Sequence, residues 1–112
     1  MKIVIAIPHQ LTWFWTQTCI AALKRRLVPY RDRFDFEIVV VDNGWDHSPS
    51  IRGITDTRLG EGVRVLNADS KIIYTHSTAL NQAFRETWPM DYFIALDSDC
   101  ILMRDTWLDE LL

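Results

Sequence analysis

Lys2-Ile3-Val4-Ile5-Ala6-Ile7 opens the chain with an apolar run that does not alternate with polar residues, and Pro8 breaks it. A strand with one wet face shows a period of two. A run that is apolar at nearly every position suits a strand covered on both faces, as in parallel sheets. Two later stretches repeat the pattern. Phe36 to Val41 is β-branched and almost wholly apolar, and Tyr92-Phe93-Ile94-Ala95-Leu96 is continuous. Pro8 to Leu11 reads as a turn, and Thr12 as the N-cap of a helix reaching about Leu27, with Trp15, Cys19, Ala22, Leu23 and Leu27 as its apolar stripe. Pro29 stops that helix. Asp42-Asn43-Gly44 ends the second strand in a loop. His47 to Gly62 is polar and holds at most one short helical turn, over 51–56, before a short strand from Val63 to Leu66. A second helix starts after Thr75 and ends near Trp88, with Leu80, Phe84 and Trp88 on one face and Pro89 closing it. Asp105 begins a last helix. The order β-α-β-loop-β-α-β-α predicts an α/β domain, a mostly parallel sheet with helices on both faces.

The chain has 112 residues, enough for a single domain over 1–112. Surface scaling leaves about 6,400 Å² exposed of about 19,000 Å² in the unfolded chain, so a core without staples is feasible. An apolar content of 48% argues against disorder. The two cysteines make no disulfide framework: Cys19 falls in a helix and Cys100 beside two aspartates. A net charge of −3 argues against a nucleic-acid or anionic-membrane binder. The basic run Lys24-Arg25-Arg26 reads as a solvated helix end. No apolar segment approaches the roughly 18 residues of a transmembrane span. The N-terminal run is too short for a secretory signal, so the expected compartment is cytoplasmic.

In an open parallel sheet, ligands sit beyond the carboxyl ends of the strands. Those ends carry Pro8-His9-Gln10, Asp42-Asn43 and Asp97-Ser98-Asp99. In an extended segment Asp97 and Asp99 point the same way, so both can approach one Mg²⁺ or Mn²⁺ shared with a diphosphate. The alternative is a turn-capping Asp97 and a solvated Asp99. Asp42 suits a ribose hydroxyl or a base N–H, or an Asx turn. Asn43 can read a base edge or simply permit the turn. Trp45 can cover a base or sugar, or lid its own loop. Trp13, Trp15, Trp88 and Trp107 read as core. His9 lies within reach of a phosphate at its strand end, His76 begins a helix, and the histidines match no zinc spacing. No Gly-x-Gly-x-x-Gly follows the first strand and no Walker lysine occurs, which argues against dinucleotide-fold oxidoreductases and P-loop NTPases. A nucleotidyltransferase ordinarily carries a glycine- and Lys/Arg-rich loop after its first strand. Pro8-His9-Gln10-Leu11 is not one.

The order and spacing of these elements resemble the N-terminal, nucleotide-binding half of a GT-A fold glycosyltransferase of the family 2 type. The likeness runs through Ile3 to Pro8, Val39-Val40-Val41-Asp42-Asn43-Gly44, Asp46, Asn67, Ala79-Leu80-Asn81-Gln82-Ala83 and the DxD element Asp97-Ser98-Asp99. It implies transfer of a sugar from a nucleotide-diphosphate donor, of the UDP type, to an acceptor the sequence does not identify. It implies that the backbone at Ile7 and Pro8 flanks the base and that Asp42 or Asn43 contacts it. Asp97 would meet the ribose or a metal-bound water, and Asp99 the Mn²⁺ or Mg²⁺. The chain departs from the family pattern at Trp45, where a small Ser is common, and at Leu80, where an Arg is common. It departs also at Asn43, where an acidic residue is typical, and the Leu80 and Asn43 departures motivate the alternative of an inactive, GT-A-like nucleotide-binding protein. The family's acceptor half follows the DxD element, and this chain ends soon after it, so the expectation is a donor-binding domain of a truncated or longer enzyme.

Overall fold

The unalternating runs are strands of one parallel sheet. A computed structural model describes residues 1–9, 13–42, 62–67, 76–98 and 100–112. They form β1 (Lys2–His9), α1 (Trp13–Leu27), a 3₁₀ turn at Val28–Tyr30, β2 (Asp35–Asp42), β3 (Val63–Asn67), α2 (His76–Thr87), β4 (Tyr92–Ala95) and α3 (Trp107–Leu111). The strand order is β3-β2-β1-β4, and every pairing is parallel. Thr12 and the short helical turn expected over 51–56 lie outside the described residues.

Side-chain alternation builds a core on each face. Ile3, Ile5 and Ile7 of β1, with Ile38 and Val40 of β2, pack against Cys19, Ile20, Leu23 and Leu27 of α1 and Trp107 and Leu108 of α3. The intervening Val4, Ala6, Val39 and Val41, with Leu66, pack against Ala79 and Ala83 of α2. Two alanines a helical turn apart let α2 lie close to the sheet. Gly62, at φ +85°, makes the turn into β3, a backbone angle that L-residues with a Cβ adopt only under strain.

Four expectations need correction. Pro8 does not break β1. The strand continues, with Pro8 level with Val41 and His9 with Asp42. In a parallel ladder both backbone groups of a residue turn to the same neighbour, and the side alternates along the strand. Ala6 faces β4, since its carbonyl accepts the Leu96 N–H at 2.9 Å. Pro8 therefore also faces β4, whose strand has already ended, so its missing N–H breaks no ladder bond.

The third apolar run is not doubly covered. β4 is an edge strand, with Tyr92 and Ala95 exposed and only Phe93 and Ile94 half-buried. Trp15 and Trp88 are not core residues: they are 49% and 63% exposed. The buried stripe of α1 is centred on Thr16, Ile20, Leu23 and Leu27, which leaves Trp15 at its margin. On α2 the alanines take the sheet-facing positions. Phe84 and Trp88 are displaced to the β4 flank, where Phe84 packs edge-on to Phe93 with centroids 5.4 Å apart.

The fourth correction is Arg26, which is more than a solvated helix end. Its Nε donates to the Leu102 carbonyl at 3.2 Å, and its Nη1 pairs with Asp105 at 2.6 Å. The Trp107 indole N–H donates to the Arg26 carbonyl at 3.0 Å, and Arg33 pairs with Asp109 at 3.2 Å. Trp107 is core, as its sequence position predicts. These bonds latch the segment after β4 onto the end of α1.

Candidate active site

All four strands run the same way, so their carboxyl ends share one edge. His9, Asp42 and Asn67 lie level across β1, β2 and β3. The opposite edge holds a structural ion network instead. There Glu37 pairs with Lys2 at 3.0 Å and with Arg64 at 3.4 Å.

From β1 the chain steps to β2 and then to β3 on one side, before crossing back to β4 on the other. The reversal falls between β1 and β4. Successive crossovers leave in opposite directions there, α1 covering one face and α2 the other, and such a switch point is where open α/β sheets place their ligand crevice. The two strands also stop pairing at this point. The ladder ends with Ala6 level with Ala95 and the Leu96 N–H on the Ala6 carbonyl, so the next residue, Asp97, stands at the mouth of the crevice.

Asp97 is exposed and Ser98 half-buried. The Asp97 carbonyl accepts the Cys100 N–H at 3.0 Å and the Cys19 thiol at 3.7 Å. Asp97 and Cys100 therefore close a tight turn, and the extended geometry expected of this stretch does not hold. Ile7 and Pro8 are both buried, and the Ile7 side chain belongs to the α1-side core. Asp42 closes β2 on the site edge. Asn43, Trp45 and Asp99 lie outside the described residues.

The carboxylate of Asp97 is a hard oxygen donor suited to Mg²⁺ or Mn²⁺. Among the described residues, no three His, Cys, Asp or Glu side chains gather as a self-sufficient metal site. Among them, too, no helix is long and apolar enough to cross a membrane. Two features of the site were invisible in the sequence. Cys19 and Arg26 reach it across more than seventy residues of chain, and no local pattern encodes such a contact. The reversal of strand order was equally hidden, because it depends on which side of β1 the last strand takes.

The family model of glycosyl transferase family 2 matches residues 5–112. No curated protein and no solved structure matches the chain. The four-stranded parallel sheet with helices on both faces agrees with a GT-A-like fold, and the chain belongs to glycosyl transferase family 2.

Proposed function

We propose that residues 1–112 form the donor-binding unit of a metal-dependent glycosyltransferase that moves a sugar from a nucleotide-diphosphate donor of the UDP type to an acceptor hydroxyl. The observation that carries this reading is the position of Asp97, exposed at the mouth of the crevice between β1 and β4 in a family 2 chain. The backbone at Ile7 and Pro8 would line the base, Asp42 or Asn43 would hydrogen-bond the base or ribose, and Trp45 would cover the base or sugar. Asp97 and Asp99 would hold Mn²⁺ or Mg²⁺, with Asp97 also within the reach of the ribose. A pair of carboxylates is enough for a cation shared with a diphosphate, because phosphate oxygens and water complete its shell. When bound, such an ion supplies Lewis-acid stabilisation of the charge that grows on the departing nucleotide diphosphate. The protein's own part is to fix the base against the β1 end, to hold the acidic turn at the crevice and to orient the sugar toward the acceptor.

Leu80 supports a second reading, a nucleotide-binding protein without transfer activity. The resemblance would put a cation at this position, and here it is an apolar side chain packed against the α2-side core. Calorimetric titration of UDP with Mn²⁺, and again with EDTA, tests both. Binding that needs the ion is expected. No binding in either condition by the folded protein overturns the donor-site reading. Ion-dependent binding with no release of UDP from a UDP-sugar, in water or with acceptor sugars, favours the second reading.

A further inference from the structure

We propose that Cys19 is a positioning residue, whose buried thiol fastens the Asp97 carbonyl and so holds the acidic turn at the crevice. The inference rests on the donor-site reading of Asp97 given above. Its physical basis is where the sheet stops. The last rung between β1 and β4 is the Leu96 N–H on the Ala6 carbonyl. Continuing the parallel ladder would need an N–H at position 8 to meet the Leu96 carbonyl, and Pro8 has none. The ladder therefore lacks its next rung just before Asp97.

Helix α1 takes over where the ladder ends. Cys19 is 1% exposed, locked in the core stripe that faces Ile5 and Ile7, and its Sγ donates to the Asp97 carbonyl at 3.7 Å. That carbonyl also accepts the Cys100 N–H at 3.0 Å, so the thiol and the turn's own closing bond converge on one atom. Further along the same helix, Arg26 Nε holds the Leu102 carbonyl at 3.2 Å. Seven residues separate Cys19 from Arg26, about 10.5 Å or two turns of helix, so both side chains leave the same face. The acidic turn is thus suspended between two anchors on one rigid element. The sulfur anchor is nearer to Asp97 and acts directly on its backbone.

The test is a pair of substitutions that separate hydrogen bonding from packing. Cys19→Ala and Cys19→Ser both lose volume, and only the serine keeps a donor. A thiol is a weak donor, so its bond to a positioned group is worth about three-fold in affinity. Cys19→Ala is therefore expected to weaken UDP binding in the presence of Mn²⁺ by about that factor and to speed amide hydrogen exchange at Cys100. Cys19→Ser should hold both closer to the parent protein, within about 1.5-fold, by the same reckoning. Cys19→Ser losing as much as Cys19→Ala, or Cys19→Ala behaving like the parent, overturns the proposal and leaves Cys19 as packing alone. A parent protein that binds no UDP with Mn²⁺ sinks the donor-site reading instead. In that event the exchange rates of the same variants still decide whether the thiol fastens the turn.

Discussion

Asp97 is exposed, and its backbone carbonyl is held from two sides, by the Cys19 thiol and the Cys100 N–H. An Asp-x-Asp after an apolar run was legible in the sequence, and so was its location at a strand end. Its local shape was not. The extended reading came from continuing strand alternation past Leu96, and the Cys100 N–H turns the chain back instead. Two predictions belong at this scale. Asp99→Ala should weaken ion-dependent UDP binding by about 100-fold or more, beyond the range seen when only a ligand's supporting partner is lost, with the circular dichroism spectrum unchanged. Calorimetry with the variant checks the first part, and unaltered binding would remove Asp99 from the metal assignment. In the native protein a maleimide should label only one of the two thiols, Cys100, since Cys19 is buried; both should react in denaturant. Peptide mass mapping reads the outcome, and rapid native labelling of Cys19 would contradict its place in the core.

Among the elements, the helices were the most readable part of the chain. Pro29 and Pro89 bracket their ends, and the period of small and apolar residues gives their sheet-facing sides. Tryptophan misleads in such a pattern. It is large and apolar enough to pass for core, yet its indole tolerates a half-exposed position at the margin of a stripe, as at Trp15, or over a neighbouring ring, as at Trp88 beside Phe84. The latch between α1 and α3 makes a quantitative prediction. Trp107 is 8% exposed and its indole N–H satisfies the Arg26 carbonyl. Trp107→Phe should lower stability by about 1 kcal/mol through the lost hydrogen bond. Trp107→Ala should cost about 3–5 kcal/mol, a large share of the total for a small domain. Urea unfolding monitored by circular dichroism measures both. Equal small losses in the two variants would mean that α3 is not part of the core. The surrounding ion pairs contribute less, because Asp105 and both partners of the Arg33–Asp109 pair are largely exposed.

Across the whole molecule, the class of fold followed from three apolar runs, but their lateral order did not. A run such as Tyr92 to Leu96 looks the same at an edge as in the middle, since periodicity reports how many faces are apolar and not how many neighbours the strand has. The order β3-β2-β1-β4 puts β1 at the centre and β4 at the rim, and the reversal between them makes the crevice. Truncation to alanine should follow that order. Ile5→Ala, in the α1-side core of β1, should cost about 2–5 kcal/mol, whereas Tyr92→Ala on β4 should cost about 1 kcal/mol or less. The reverse ranking in denaturant titrations would contradict the strand order. The central claim is that this crevice binds a nucleotide diphosphate through an ion held by Asp97 and Asp99. Its most direct test is the electron paramagnetic resonance signal of free aqueous Mn²⁺ titrated with UDP-saturated protein. The signal should fall below that of the same UDP without protein when the parent is added, and stay near that level with Asp97→Asn combined with Asp99→Asn. An equal fall with both proteins would contradict the account.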